Sequence, residues 1–283
     1  MDTQPCPPVQ NPAPQGEATE APNARLGLIT HAIGNRPAPI KAHTYLQSWE
    51  TQSKPVALIC DGGEKYVVKA LQINRPEMRR LMVNEQIVAR LGELMHAPVP
   101  RAAPIEVPAE LIAAESKMAQ IIPGVSHGLQ FVENVSERMA VDHTGVEENR
   151  PRFARLAILY GWVGAADHQF VYGKASPYLA HSVDHGNFFP GGMNWTQASL
   201  VGAPNAQPDA TVTAACNLTA QELNQAINEL ATIDEHSLAC AVALPPDTWG
   251  LSMEERLALL EFLIRRRDEL LATLPTQAQD GTI

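Results

Sequence analysis

The sequence predicts a two-lobed α+β protein. Strand-like runs crowd into the first ordered part of the chain with one helix among them, and helix signals dominate the rest. With 283 residues, 45% of them hydrophobic, the chain can bury a sizeable core. Strand-rich and helix-rich blocks separated in sequence suggest two lobes with a ligand cleft between them. The expected divisions are a disordered tail over 1–24, a first lobe of sheet plus one helix over 25–124, a helical second lobe over 125–274, and a flexible tail over 275–283.

The opening tail is rich in Pro, Gln, Ala and Glu and carries too few large apolar residues to offset its ordering entropy. Leu26 to Ile33 reads as a short strand ending at Gly34. Two β-rich runs, Pro55 to Cys60 and Lys65 to Ala70, flank Asp61-Gly62-Gly63-Glu64. Glycines that accept positive φ make this a hairpin. Pro76 opens a helix whose Met78, Leu81, Met82, Ile87, Val88 and Leu91 recur at helical spacing, and Gly92 or the His96–Pro98 stretch ends it. Val99 to Pro108 is extended because its prolines restrain their neighbours. Ala119 to Ile122 reads as a strand running into a linker at Pro123-Gly124.

In the second block, Phe131 to Arg150 is poorly specified and Pro151 to Val163 is a buried helix. Pro190 to Trp195 is a turn, and Ala203 to Thr213 a surface loop. Thr219–Glu222 and Ser252–Glu255 match the capping box, so helices begin there, the second running from Met253 to Leu274. Arg265-Arg266-Arg267 reads as a solvated face of it, and Trp162, Phe188, Phe189 and Trp195 as core.

A net charge of −10 argues against a duplex nucleic-acid binder, which needs a basic face. Cys6, Cys60, Cys216 and Cys240 form no paired motif, so free thiols and a cytoplasmic setting are expected. Cys60 reads as a buried hydrophobe. No apolar run reaches the ~20 residues that span a bilayer, and the N-terminus lacks a secretory pattern.

The chemistry begins with charges in apolar settings. Lys69 ends a strand-like run, and a buried lysine is costly unless an anion meets it. Glu85, close to the apolar stripe of the next helix, is the sensible partner. In the second block Asp167 and Asp184 each end an apolar segment and can face one cleft. Read blandly, they are loop aspartates capping turns. Read together, a lysine–glutamate pair on a sheet lobe and two aspartates on a helical lobe are the parts phosphoryl transfer requires.

Tyr66-Val67-Val68-Lys69 after Asp61-Gly62-Gly63, then Asn84-Glu85, Asp167 and Val183-Asp184-His185-Gly186, resembles the HipA-like kinase family, which has a two-lobed protein-kinase-like fold. The resemblance covers roughly Leu26 to Leu274. It implies ATP and Mg²⁺ as cofactors and a protein or small-molecule hydroxyl as acceptor. Lys69 would contact the phosphates and Glu85 would orient it. Asp167 would be the catalytic-loop aspartate, and Asp184 would hold the metal, as in the Asp-Phe-Gly triplet of kinases. Ile121 and Ile122 would line the nucleotide site. The family pattern departs at two points. No G-x-G-x-x-G precedes Lys69, so Thr51 to Lys54, with Ser53, is the candidate phosphate cover. The second metal ligand would be Gln169, because no asparagine stands at the usual offset from Asp167. Two other readings remain open: a nucleotide-binding pseudokinase, and a metal-dependent phosphohydrolase built from His168, His181 and His185 with the two aspartates.

Overall fold

The computed structural model describes residues 17–138 and 140–274; the expected 275–283 tail and most of the 1–24 tail lie outside them. Its first strands are β1 (Ile40–Ser48), β2 (Val56–Cys60) and β3 (Lys65–Lys69). Gly62 and Gly63 turn the chain at φ values of 75° and 78°, so β2 and β3 run antiparallel with Val56 opposite Val68. After α2 (Met78–Leu94) come β4 (Ala102–Val107), the short α3 (Ala109–Ala114) and β5 (Gly124–Gln130). β5 pairs with both β3 and β4, and β4 pairs in parallel with β1, which closes the five strands into a barrel. Closure leaves no open sheet edge. Alternate residues of β4, Ala103, Ile105 and Val107, point inward onto Val56, Leu58, Tyr66 and Val68.

The second lobe starts with β6 (Val135–Arg138) and α4 (Asn149–Val163), then β7 (Gln169–Gly173) and β8 (Ala180–Val183), which join β6 in a three-stranded antiparallel sheet. The helices α5 (Gln197–Val201), α6 (Ala210–Ala215), α7 (Ala220–Leu230), α8 (Glu235–Ala243) and α9 (Met253–Leu271) complete it. Both predicted capping boxes are formed, at Thr219 and Ser252. Helix α2 sits between the lobes. Its Met78, Met82, Ile87, Val88 and Leu91 join the core of α4 and α9, while its other side lies against β4 and β5.

Four expectations are corrected. Leu26 to Ile33 is the second half of a helix, α1 (Glu17–Gly34), rather than a strand or tail. Ile29 and Ala32, three residues apart, bury against α8 and α9, and Arg25 makes a two-pronged bond to Glu235 of α8 at 3.1 and 3.2 Å. Tertiary packing overrides the local β preference of Leu-Ile-Thr. The first-lobe sheet also runs past residue 124 to Gln130, so the inter-lobe linker is Phe131–Asn134 and not Pro123-Gly124.

Arg266, placed on a solvated face, is 4% exposed and donates to the carbonyls of Gly161, Trp162 and Pro204, tying α9 to the end of α4. Ala203 to Asp209 is a loop at the surface, but it is pinned by the fully buried Ala206, and the rest of the expected loop is the start of α6, capped by Asp209. This segment crosses α4 at Gly161, where a Cβ would lie 1.9 Å from the Gln207 carbonyl oxygen.

A pair of glycine substitutions checks these corrections. Gly27→Ala, exposed in α1 with open space around it, should raise unfolding free energy by about 0.5–1 kcal/mol in urea titrations, as in any helix interior. Gly161→Ala should lower it by at least about 2 kcal/mol, because the obstacle is backbone.

Candidate functional site

Lys69 closes β3 opposite His127 of β5, and both side chains are withdrawn from solvent. The Lys69 ammonium donates to Glu85 of α2, itself 1% exposed, and to Asp184 Oδ1 at 2.6 Å. Burial pulls the lysine pKa down, but the Glu85 and Asp184 carboxylates outweigh it and hold it above its ordinary value. Burial likewise opposes ionisation of Glu85. The Lys69 ammonium and the His185 imidazole, whose Nδ1 faces it at 3.5 Å, overcome that and keep its carboxyl well below the usual range.

Asp184 directly follows β8, and the loop beyond it is fastened to α2. Asn84, fully buried one residue before Glu85, donates to the carbonyls of Gly186, Phe188 and Gly192 at 2.8, 3.1 and 3.2 Å. Its own oxygen accepts from Trp195 Nε1 at 2.9 Å. Gly186 passes so close to α2 that a Cβ would meet Leu81 at 2.6 Å. One helix therefore supplies the partner of Lys69 and fixes the segment that carries Asp184.

Asp167 and Asp184 both adopt left-handed backbone, at φ 58° and 61°. A non-glycine residue there is strained, and aspartate tolerates it better than most. The β7–β8 register sets Gln169 opposite Val183, beside Asp184. Asp167 is exposed on the loop after α4, where Asn187 Nδ2 donates to its Oδ2 at 3.4 Å. Asn187, three residues beyond Asp184, thus ties Asp167 to the segment that carries Asp184.

A cavity of about 400 Å³ opens between the lobes. Lys69, Glu85, Gln169, Asp184 and Ser53 line it, and the β1–β2 turn also contributes Trp49 and Thr51. Ser53 is 7% exposed and its carbonyl accepts from Gln72. Asp167 is not on the wall. Ile121 and Ile122 are elsewhere, a correction to the expected nucleotide contacts: Ile121 packs in the barrel core, and Ile122 is 41% exposed. Leu129 and, from the linker, Phe131, Val132 and Asn134 line the cavity instead.

The histidines serve three separate neighbourhoods. His168 stacks on Tyr160 at 4.5 Å and faces Asp209 at 3.4 Å. His181 stands by Arg152, and its pKa falls to about 4 through burial and that guanidinium. His185 reaches Ser182 Oγ at 2.8 Å and turns its other nitrogen to Glu85 at 3.5 Å. Among the described residues no group of three or more His, Cys, Asp or Glu could hold a metal ion, so the phosphohydrolase cluster does not assemble. Cys60 is buried with its thiol pushed up to about 11 by burial, the bland reading of that residue.

Four contributors escaped the sequence: Asn84 as a staple, Asn187, the linker, and His127. His127 Nδ1 lies 2.9 Å from Gln86 Oε1, and Nε2 faces Glu85 at 3.9 Å with no hydrogen-bond partner. A histidine one residue from a glycine, in a stretch assigned to the start of the helical second lobe, carried no usable signal.

In chain order the parts run from sheet lysine and helix glutamate through a linker to a helix, a loop aspartate and a second aspartate after a hairpin. No family model matches the chain, and no curated protein does. Among solved structures it is similar to the Golgi casein kinase with Mn/ADP bound, at TM-score 0.47 and 11% identity over 88% of this chain and 76% of that one. A second structure of the Golgi casein kinase gives 0.47 and 12% over 89% and 76%. The Helicobacter pylori proinflammatory kinase CtkA gives 0.40 and 7% over 84% and 100%. Among the described residues no helix is long and apolar enough to cross a membrane.

Burial lowers the His127 pKa from 6.5 to about 4. The unfolded imidazole therefore takes up a proton below pH 6.5 while the folded one stays neutral until about 4, so stability drops as pH falls through that window. The loss due to this residue is about 3 kcal/mol by pH 4. Urea unfolding of His127→Asn should show a correspondingly shallower fall between pH 7 and pH 4; parallel curves would exclude this assignment.

Proposed function

We propose that the chain is an ATP- and Mg²⁺-dependent kinase of the HipA-like type, passing the γ-phosphate to a hydroxyl of a protein or small molecule. The observation that carries this reading is the Lys69 ammonium, shared between Glu85 and Asp184 on the wall of the inter-lobe cavity. A buried lysine oriented by a helix glutamate presents a fixed positive charge to α- and β-phosphates. The base would rest against Phe131 to Asn134, with the β1–β2 turn and Ser53 over the phosphates.

The donors suit a hard cation. Asp184 and Gln169 both offer oxygen to the same cavity, and Mg²⁺ in nucleotide sites takes one or two protein oxygens besides phosphate and water. The ion would neutralise charge on the phosphoryl oxygens. Asp167, exposed and held by Asn187, would orient the acceptor hydroxyl and take its proton. The bond from the acceptor oxygen to the γ-phosphorus forms as the bond to the β–γ bridging oxygen breaks, leaving ADP.

One observation favours a second reading, a nucleotide-binding pseudokinase. β7 begins two residues after Asp167, and Asp167 is off the cavity wall. That leaves Lys69, Glu85 and Asp184 in place for binding while the transfer geometry is lost.

Thermal unfolding separates binding from its absence. ATP with Mg²⁺ at a hundredfold excess over Kd should stabilise the parent by about 2.7 kcal/mol. Lys69→Met and Asp184→Ala should respond weakly or not at all; equal responses would remove the proposed site. γ-Labelled ATP then separates the two readings. Transfer or hydrolysis that falls about 10²–10⁴-fold in Asp167→Ala supports the kinase. Stabilisation by ATP with no turnover in the parent supports the pseudokinase.

A further inference from the structure

A second cavity, of about 490 Å³, lies on the far side of α2, walled by the end of α1, by α2, by β4 and by α8. We propose that it binds a small organic anion carrying a phosphate or carboxylate group. Arg36, Arg90 and Arg101 line it against a single carboxylate, Glu93, in a chain whose net charge is −10. Asp247 and Glu64, which pair with Arg36 and Arg101, do not line the cavity, and Arg90 pairs with Glu93. These pairs occupy only part of each guanidinium's five donors, and planar donor forks match phosphate and carboxylate oxygens. The volume lies within the usual range for small-molecule sites.

Gln86 supplies the second, independent observation. It walls this cavity and is 2% exposed, yet among the described residues its amide nitrogen has no partner. That open donor, on a residue otherwise withdrawn from water, is suited to an acceptor oxygen in the cavity. Its oxygen accepts a hydrogen bond from His127 Nδ1, and His127 lines the inter-lobe cavity beside Glu85. Consecutive helix residues point about 100° apart, so Glu85 and Gln86 serve the two cavities from one turn. Occupancy of the far cavity therefore acts on the Lys69–Glu85 pair through Gln86 and His127. This communication rests on the nucleotide-site reading; anion binding does not.

Calorimetric titration of the full chain at low salt with sodium phosphate, and separately with sodium citrate, tests the site. Saturable binding of one or both is expected, and which one binds identifies the head group. Affinity should fall at least tenfold in Arg90→Gln/Arg101→Gln, with single Arg90→Gln as the backup should the double variant not fold. Lys69→Met should bind the anion as the parent does, whatever becomes of its ATP response. Absence of saturable heat with both anions, or unchanged binding in the arginine variants, overturns the proposal; equal loss in Lys69→Met would move the anion to the inter-lobe cavity and overturn it too. For the communication, the anion should shift ATP affinity in the parent and not in Gln86→Met or His127→Asn, and an equal shift in all three overturns it.

Discussion

The arrangement turns on one ammonium group. Lys69 is withdrawn from water, and an isolated charge there would cost several kcal/mol. Glu85 and Asp184 offset that cost from two directions, one from a helix packed into the second lobe and one from the loop beyond β8. Three elements far apart in sequence are thereby held at one point. Replacing such a pair with apolar residues is often neutral for stability. What the buried charge supplies is a cation of fixed position at the mouth of a cavity.

Helix α2 makes this arrangement rigid. Its apolar side belongs to the core of the helical lobe, so Glu85 is located by packing rather than by the sheet it reaches toward. Asn84 adds four hydrogen bonds that bind the Asp184 loop and Trp195 to the same turn. Asn84 and Glu85 thus set the cation's partner and the loop's path from adjacent positions, and Gln86 continues the series toward the opposite cavity. The two left-handed aspartates fit this picture, since strained backbone persists only where its surroundings hold it.

Much of this was readable from the chain. Asp61-Gly62-Gly63 has few alternatives to a hairpin, and Lys69 and Glu85 drew notice as charges among apolar neighbours. The capping boxes at Thr219 and Ser252 needed only local chemistry. The misread parts all depended on distant contacts. Leu26 to Ile33 has β-prone composition, and only α8 and α9 make it a helix. β5 was overlooked because Ser126 and His127, on opposite faces of the strand and both 1% exposed, break the apolar alternation that marks a strand. The cavity lining moved with it, from the expected Ile121 and Ile122 to the linker after Gln130. Arg266 shows the same limit: three consecutive arginines suggest water, and only the ends of α4 and the 204 loop reveal three carbonyls awaiting a donor.

Lysine-directed chemistry offers the sharpest check. An acyl-phosphate derivative of ATP places an electrophilic carbonyl beside the amine that contacts its phosphates, and peptide mass spectrometry then reports which lysine was acylated. Modification concentrated on Lys69 and suppressed by excess ATP is the outcome this account predicts. Labelling confined to other lysines, or undiminished by ATP, would contradict it.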